Sequence, residues 1–206
     1  MAWPSRASIK DDDTVDLIAM IEKGSEQLKS KLNNYIDNLS NNQQIKIVLE
    51  EVNFQESLTN VSVNINTLIT SSKTNINSDF SAAETILFNG EYINSVFLNL
   101  LSNSIKYAKP GIPPGITIWT EKYKDKVKLY FQDNGVGIDL ETAKGKIFGP
   151  HQTFHNSNNS NNSNNSKGIG LQLVHTYVTS FGGKIEVESA VGKGSIFILT
   201  FYKNLN

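Results

Sequence analysis

The stretch NLLSNSIKYA, residues 99–108, sets Asn99, Asn103, Lys106 and Tyr107 into a segment made apolar by Leu98, Leu100, Leu101, Ile105 and Ala108. Asn99, Asn103 and Lys106 stand at i, i+4 and i+7, which places them on one face of a helix. That set has a definite chemistry. A carboxamide oxygen suits Mg²⁺, a hard cation that keeps several waters and binds substrate phosphates. Lys106 offers positive charge to phosphate oxygens, and Tyr107 offers a ring face. Taken alone, the asparagines would serve equally as satisfied polar residues at a contact between helices.

Two glycine elements add to this. DNGVGID (133–139) follows an expected strand, and Gly135 and Gly137 permit φ > 0 and close approach of a ligand to the backbone. Asp133, at the strand's end, is suited to accept a hydrogen bond from an exocyclic amine, although a plain DNG turn has the same composition. KGIGL (167–171) places Gly168 and Gly170 at the start of an expected helix, where free N–H groups and the helix dipole suit phosphate. The preceding NSNNSNNSNNS (156–166) cannot bury apolar area. It reads as a mobile insertion or as a lid over a ligand, and its position against KGIGL favours the lid. Its N-x-S triplets match glycosylation acceptors only formally, since no signal peptide precedes them.

The elements that must position these residues follow from periodicity. Residues 13–40 read as one long amphipathic helix through Ile18, Ile21, Leu28, Leu32, Tyr35 and Leu39, close to a heptad seam. Residues 1–12 read as a tag or disordered lead-in. A strand is expected at 45–52, a helix at 54–72, a short strand at 74–80 and the motif-bearing helix at 89–108. PGIPPG (110–115) forces a turn. Residues 115–123 and 126–133 read as a β-hairpin, 139–147 as a short helix, and 169–181 as a helix closed by Gly182–Gly183. A second hairpin is expected from 184–189 and 195–201. This order fits a mixed sheet with helices over one face, an α+β fold built as a two-layer α/β sandwich.

Composition narrows the functions. The 206 residues carry 19 basic and 20 acidic side chains, a formal charge of −1, so no basic surplus argues for nucleic acid. No cysteine is present, which excludes disulfides and thiolate metal sites. No apolar run approaches the ~20 residues that span a bilayer, and a cytoplasmic location is expected.

Together the motifs resemble the GHKL ATPase superfamily and, within it, the sensor histidine kinases. NLLSNSIKYA resembles the N box, DNGVGID the G1 box, KIFG with Phe148 the F box, KGIGL the G2 box, and GGKIEVESAVGKGSIFILTF (182–201) the final hairpin. The resemblance covers residues 45–206, while residues 13–43 look like the second helix of the dimerisation and histidine-phosphotransfer domain. It implies a Bergerat-type sandwich over 44–206, with a lid at 148–167, that binds ATP and Mg²⁺. By matching position, Asn103 would hold Mg²⁺, Asn99 would support the phosphates, Lys106 would contact phosphate and Tyr107 would flank the purine. Asp133 would bind the adenine amino group, with Gly135, Gly137 and Ile138 shaping the pocket. Phe148 would brace the lid. Lys167, Gly168, Gly170 and Leu171 would serve the phosphate end, and Ser195 a water network near adenine.

The departures also carry information. Ser104 replaces the usual alanine of the N box, Lys167 stands where a further glycine is common, and the lid is filled with Asn-Ser repeats. The three histidines are His151, His155 and His175, and no His-Glu-x-x-Thr-Pro motif occurs. His151 and His155 sit by the lid; His175 is expected to be structural. The expectation is a histidine kinase catalytic domain that is inactive alone, because the helix bearing the phosphoacceptor histidine is missing. Expected partners are that helix, a response regulator receiver domain, and a second copy in the full-length homodimer. The rival reading is a non-catalytic regulatory nucleotide-binding module of the same superfamily.

Overall fold

The computed structural model describes residues 48–143, 147–149 and 169–203. The expected tag, the helix at 13–43 and the lid from residue 150 onward, with Lys167 and Gly168, lie outside the described residues.

Strand β1 (Glu50–Asn53) runs directly into helix α1 (Phe54–Asn64). Asn53 caps that helix, its Oδ1 accepting from the Glu56 N–H at 3.0 Å. Phe54, Ser57, Leu58 and Val61 form its buried stripe. The single helix expected over 54–72 is broken: Ile65 leaves helical geometry, and the chain resumes as α2 (Asn66–Ser72). The run Asn64–Ile65–Asn66–Thr67 consists of asparagine and β-branched residues with weak helix propensity. α2 buries no side chain that could override it. Lys73, at φ 54°, ends the element.

Strand β2 (Asn75–Asp79) is followed by β3 (Thr85–Phe88), which sequence periodicity left unassigned. Next comes α3 (Gly90–Lys106), capped by Asn89, whose Oδ1 accepts from the Tyr92 N–H at 3.0 Å. Its buried face is Ile93, Val96, Phe97, Leu100, Leu101 and Ser104, the 3-and-4 spacing of a core helix. Then come β4 (Gly115–Lys122), β5 (Lys126–Asp133), α4 (Gly170–Thr179), β6 (Lys184–Ala190) and β7 (Gly194–Tyr202). The short helix expected at 139–147 is not formed across the described part of that stretch. Residues 140–143 make one turn closed by Ala143 N–H to Asp139 O at 2.9 Å, with Asp139 Oδ1 accepting from Glu141 and Thr142. Leu140, Ala143 and Ile147 of the stretch pack on the core.

The main sheet has the order β2-β4-β5-β7-β6, with β2 parallel to β4 and every other pair antiparallel. The first strand does not join this mixed sheet as expected. It is shorter than 45–52 and pairs with β3 in a separate two-stranded ribbon. Alternate residues of the main sheet, among them Ile116, Ile118, Val127, Leu129, Phe131, Phe197, Leu199 and Phe201, are buried in one core with the apolar stripes of α1, α3 and α4. Phe54 stacks on Phe80 at 5.6 Å and meets Phe201 at 6.2 Å, while Phe88 meets Phe201 edge-on at 5.1 Å. Thr120 belongs to the same inner face. Its hydroxyl donates to Ala83 O and accepts from Ala83 N–H, both at 3.1 Å, which pins the β2–β3 turn. The result is the two-layer sandwich expected. No helix among the described residues is long and apolar enough to cross a membrane.

Candidate functional site

Helix α3 turns its apolar stripe to the sheet, and this leaves Asn99, Asn103 and Lys106 together on another face. Asn99 and Asn103 are half-buried and Lys106 is exposed. The Asn99 Nδ2 donates to Ser95 O at 2.8 Å. A carbonyl can only accept, so this contact fixes the amide and leaves Asn99 Oδ1 to face outward. The N-terminus of α4 sits against that oxygen. A Cβ built on Gly170 would lie 2.9 Å from Asn99 Oδ1 and 3.7 Å from Asn103 Nδ2. α4 has no side-chain cap. Helix geometry leaves the first N–H groups of such a terminus without intrahelical acceptors, at the positive end of the dipole.

The other end of α3 meets the turn after β5. Asp133 continues the inward alternation of Val127, Leu129 and Phe131 to the sheet's end. Its Oδ1 accepts from the Gly135 N–H at 2.8 Å. Burial pushes the Asp133 carboxyl above its ordinary value, opposed by the N–H groups of Gly135 and Ser195 and by the charge of Lys109. Tyr107 O accepts from the Val136 N–H at 3.0 Å, and a Cβ on Gly135 would come within 2.7 Å of that same carbonyl oxygen. Lys106 Nζ lies 4.9 Å from the centre of the Tyr107 ring.

The β6–β7 hairpin clasps this turn from its far side. Gly137, at φ 71°, has no room for a Cβ beside Ala190 O, and Gly194, at φ 87°, has none beside Asp133 O. Gly192 N–H donates to Val136 O at 2.8 Å. The buried Ile138 donates its N–H to Ser189 Oγ at 2.8 Å.

The structure therefore brings Asn99, Asn103 and Gly170 together at one end, and Tyr107, Asp133, Gly135, Gly137, Ile138 and Ser195 at the other. Phe148 packs half-buried on the core and stacks on His175, with ring centroids 5.3 Å apart. Leu171 is likewise half-buried against the core. Sequence motifs missed Ser189, Gly194 and Lys109. Gly194 had a signal in the GKG of the hairpin, whereas Ser189 acts through partners remote in sequence.

Among the described residues no group of three or more His, Asp or Glu side chains could enclose a metal. The donors on hand are carboxamides beside the gap that Gly170 leaves. Such a set fits a cation that brings its own waters and a ligand's phosphate oxygens, as Mg²⁺ does.

Residues 89–205 match the family described as histidine kinase-, DNA gyrase B-, and HSP90-like ATPase. The chain is 31% identical over 125 residues to sensor protein RprX of Bacteroides fragilis, a span of 60% of this chain and 24% of that protein. It is also 31% identical over 105 residues to the circadian input-output histidine kinase CikA of Synechococcus elongatus, covering 51% of this chain and 13% of the relative. The chain thus spans a quarter or less of these curated relatives. Among solved structures, the nucleotide-free catalytic domain of histidine kinase ThkA is similar with a TM-score of 0.62 and 25% identity, over 78% of this chain and 100% of that one. Acinetobacter baumannii histidine kinase AdeS shares the fold at a TM-score of 0.65 and 23% identity, over 95% of this chain and 87% of that one.

Proposed function

The chain belongs to the histidine kinase-, DNA gyrase B-, and HSP90-like ATPase family, and from that membership we propose that it presents ATP so that the γ-phosphoryl group passes to a histidine on another helix. The observation that carries this reading is the double attachment of α3. Its polar face touches the N-terminus of α4 through Gly170 at one end and the Asp133 turn through Tyr107 at the other. Seven residues of helix between Asn99 and Lys106 give a separation of roughly 10 Å. This gives the site a direction, with a base end at Asp133 and a phosphate end at Gly170.

At the base end the Asp133 carboxylate accepts from the exocyclic amine of adenine, and the Tyr107 ring flanks the purine. Gly135, Gly137 and Ile138 shape the turn, and Ser195 joins the hydrogen bonds beside Asp133. At the phosphate end the N–H groups of Gly170 and Leu171 face the phosphate oxygens. Lys106 swings from the Tyr107 ring to the same oxygens. Lys167 and Gly168 belong to this end by position in sequence, and Phe148, stacked on His175, braces the lid. Asn103 would hold Mg²⁺, with the outward Asn99 Oδ1 as a second oxygen beside it. Bound there, Mg²⁺ supplies charge neutralisation on the transferring phosphoryl group. The domain itself contributes positioning and fixed dipoles rather than covalent chemistry.

The proposed partners are ATP, the histidine-bearing helix, a response regulator receiver domain and a second copy of the full-length protein; the proposed location is cytoplasmic. A solved complex of histidine kinase ThkA with response regulator TrrA is a structural neighbour at a TM-score of 0.61. The test is transfer in trans: the purified chain, a helical bundle bearing an acceptor histidine, Mg²⁺ and γ-labelled ATP. Label on the histidine is expected. ATP binding with no label transferred would instead favour the regulatory module.

A further inference from the structure

The ribbon of β1 and β3 leaves a strand edge open. The Phe54 N–H donates to Glu84 O at 3.0 Å, and the register pairs Val52 with Ile86 and Glu50 with Phe88. Bonded and unbonded pairs alternate along an antiparallel ladder. Glu84, Ile86 and Phe88 therefore turn their main-chain groups to β1, and Thr85 and Leu87 turn theirs to the other side. Among the described residues no strand pairs with β3 there. The same alternation applies to β4. The Tyr123 N–H donates to Lys126 O at 2.8 Å, so Lys122 turns its main-chain groups away from β5. On that side β2 has already ended at Asp79, opposite Trp119.

A groove of ≈ 400 Å³ separates these two edges. It touches the buried Ile86 and also the outward Thr85 and Leu87, so it follows the edge of β3 rather than one of its faces. Its floor is apolar and buried, made by Ala83, Ile86, Val127 and Phe201, and Leu87 stands at the rim 56% exposed. The charges on its two walls are opposite, with Glu51 and Glu84 on the ribbon side and Lys122 and Lys203 on the sheet side. Among the described residues neither Glu84 nor Lys122 has an ion-pair partner.

We propose that this groove is a docking site for an extended peptide segment of a partner protein, which adds a strand to β3. The outward main-chain groups of Thr85 and Leu87 recur every second residue, about 6.6–6.8 Å apart, a spacing that another strand matches bond for bond. Such an open edge is a template for pairing. The segment that fits alternates apolar side chains, directed to the floor, with a basic one for Glu84 and an acidic one for Lys122. Docking is independent of the nucleotide reading. Lys126 and Asp133 are the first and last residues of β5, roughly 23 Å apart at the rise of a strand, and the groove lies at the Lys126 end.

The test titrates the peptide acetyl-Lys-Val-Thr-Val-Glu-amide into the ¹⁵N-labelled 206-residue chain. The amide signals of Thr85, Leu87 and Lys122 are expected to shift along one saturation curve, and their hydrogen exchange to slow by about tenfold at saturation. Leu87→Pro removes an outward N–H while sparing the bonds of Ile86 and Phe88 to β1, and weakens the peptide by about tenfold. Leu87→Ala keeps that N–H and stays within about threefold. Should Leu87→Pro fail to fold, the peptide N-methylated at every amide decides, because it leaves the protein unaltered. Loss of its binding supports strand addition, and equal affinity overturns it. No shift of Thr85 and Leu87 up to about 5 mM peptide also overturns the proposal. Shifts of these two amides that follow protein concentration without peptide would assign the edge to a second copy and overturn it as well.

Discussion

On the proposed reading Asp133 is half-buried and yet charged when nucleotide binds, and the two demands oppose each other. Burial raises its carboxyl above the ordinary 3.8, against the pull of two N–H groups and Lys109. Between 3.8 and the raised midpoint the folded chain holds a proton that the unfolded chain has released. This residue's contribution therefore makes stability fall as pH rises through that window, and recover as pH drops below it. ATP is expected to oppose the shift, since the carboxylate accepts from an amine more strongly than the neutral acid does. A carboxyl NMR titration is expected to show a midpoint above 3.8 without nucleotide and a lower one with ATP; a midpoint unmoved by ATP would contradict the role. At the phosphate end, Asn103→Ala is expected to abolish Mg²⁺-dependent ATP binding in calorimetry, and retained affinity would remove Asn103 from the site. These side chains stood out in the sequence because residue type and spacing mark them locally, and the structure brings Asn99 and Asn103 to Gly170. Ser189 was not. Its contacts lie with a backbone N–H 51 residues away and with a hydroxyl on a neighbouring strand, neither of which a local pattern encodes.

At the level of elements, the site depends on the β6–β7 hairpin pressing onto the turn after β5. Gly137 and Gly194 both sit in the left-handed region with backbone oxygens where a Cβ would go. Alanine at either is expected to cost about 2 kcal/mol or more, from strain plus displacement of the hairpin. Gly111 is the control, with φ 74° and nothing within 4 Å of an added Cβ; alanine there is expected to cost only about 1 kcal/mol. Urea denaturation of the three variants checks the ordering, and equal losses would show that the clasp is not tight. The two hairpins and α3 were readable because period-two and 3.6-residue patterns run long in them. The break at Ile65 was not, since apolar spacing continues through a segment whose second half buries nothing. β3 is four residues long, too short to show alternation, and is defined by its pairing with β1.

At the scale of the molecule, one core of sheet and helices holds the two ends of the site at a fixed separation. Leu101, fully buried on α3 away from the polar face, reports on that core alone. Leu101→Ala is expected to destabilise by about 2–5 kcal/mol. ATP affinity should stay within about twofold, because no partner in the site is lost. A large drop in affinity at full folding would mean that the core does more than support. The two-layer class was legible from the order of elements, with hairpins late in the chain. The pairing of the first strand was not, because register and partner are set by contacts between segments far apart in sequence.

The most direct measurement is an amide and side-chain NMR titration of the chain with Mg²⁺ and a non-hydrolysable ATP analogue. If three dispersed segments make one nucleotide site, signals of Asn99, Asn103, Gly135, Gly137 and Gly170 shift together with a single saturation curve, and Asn103→Ala removes all of them. Shifts confined to one segment, or following separate curves, would contradict it.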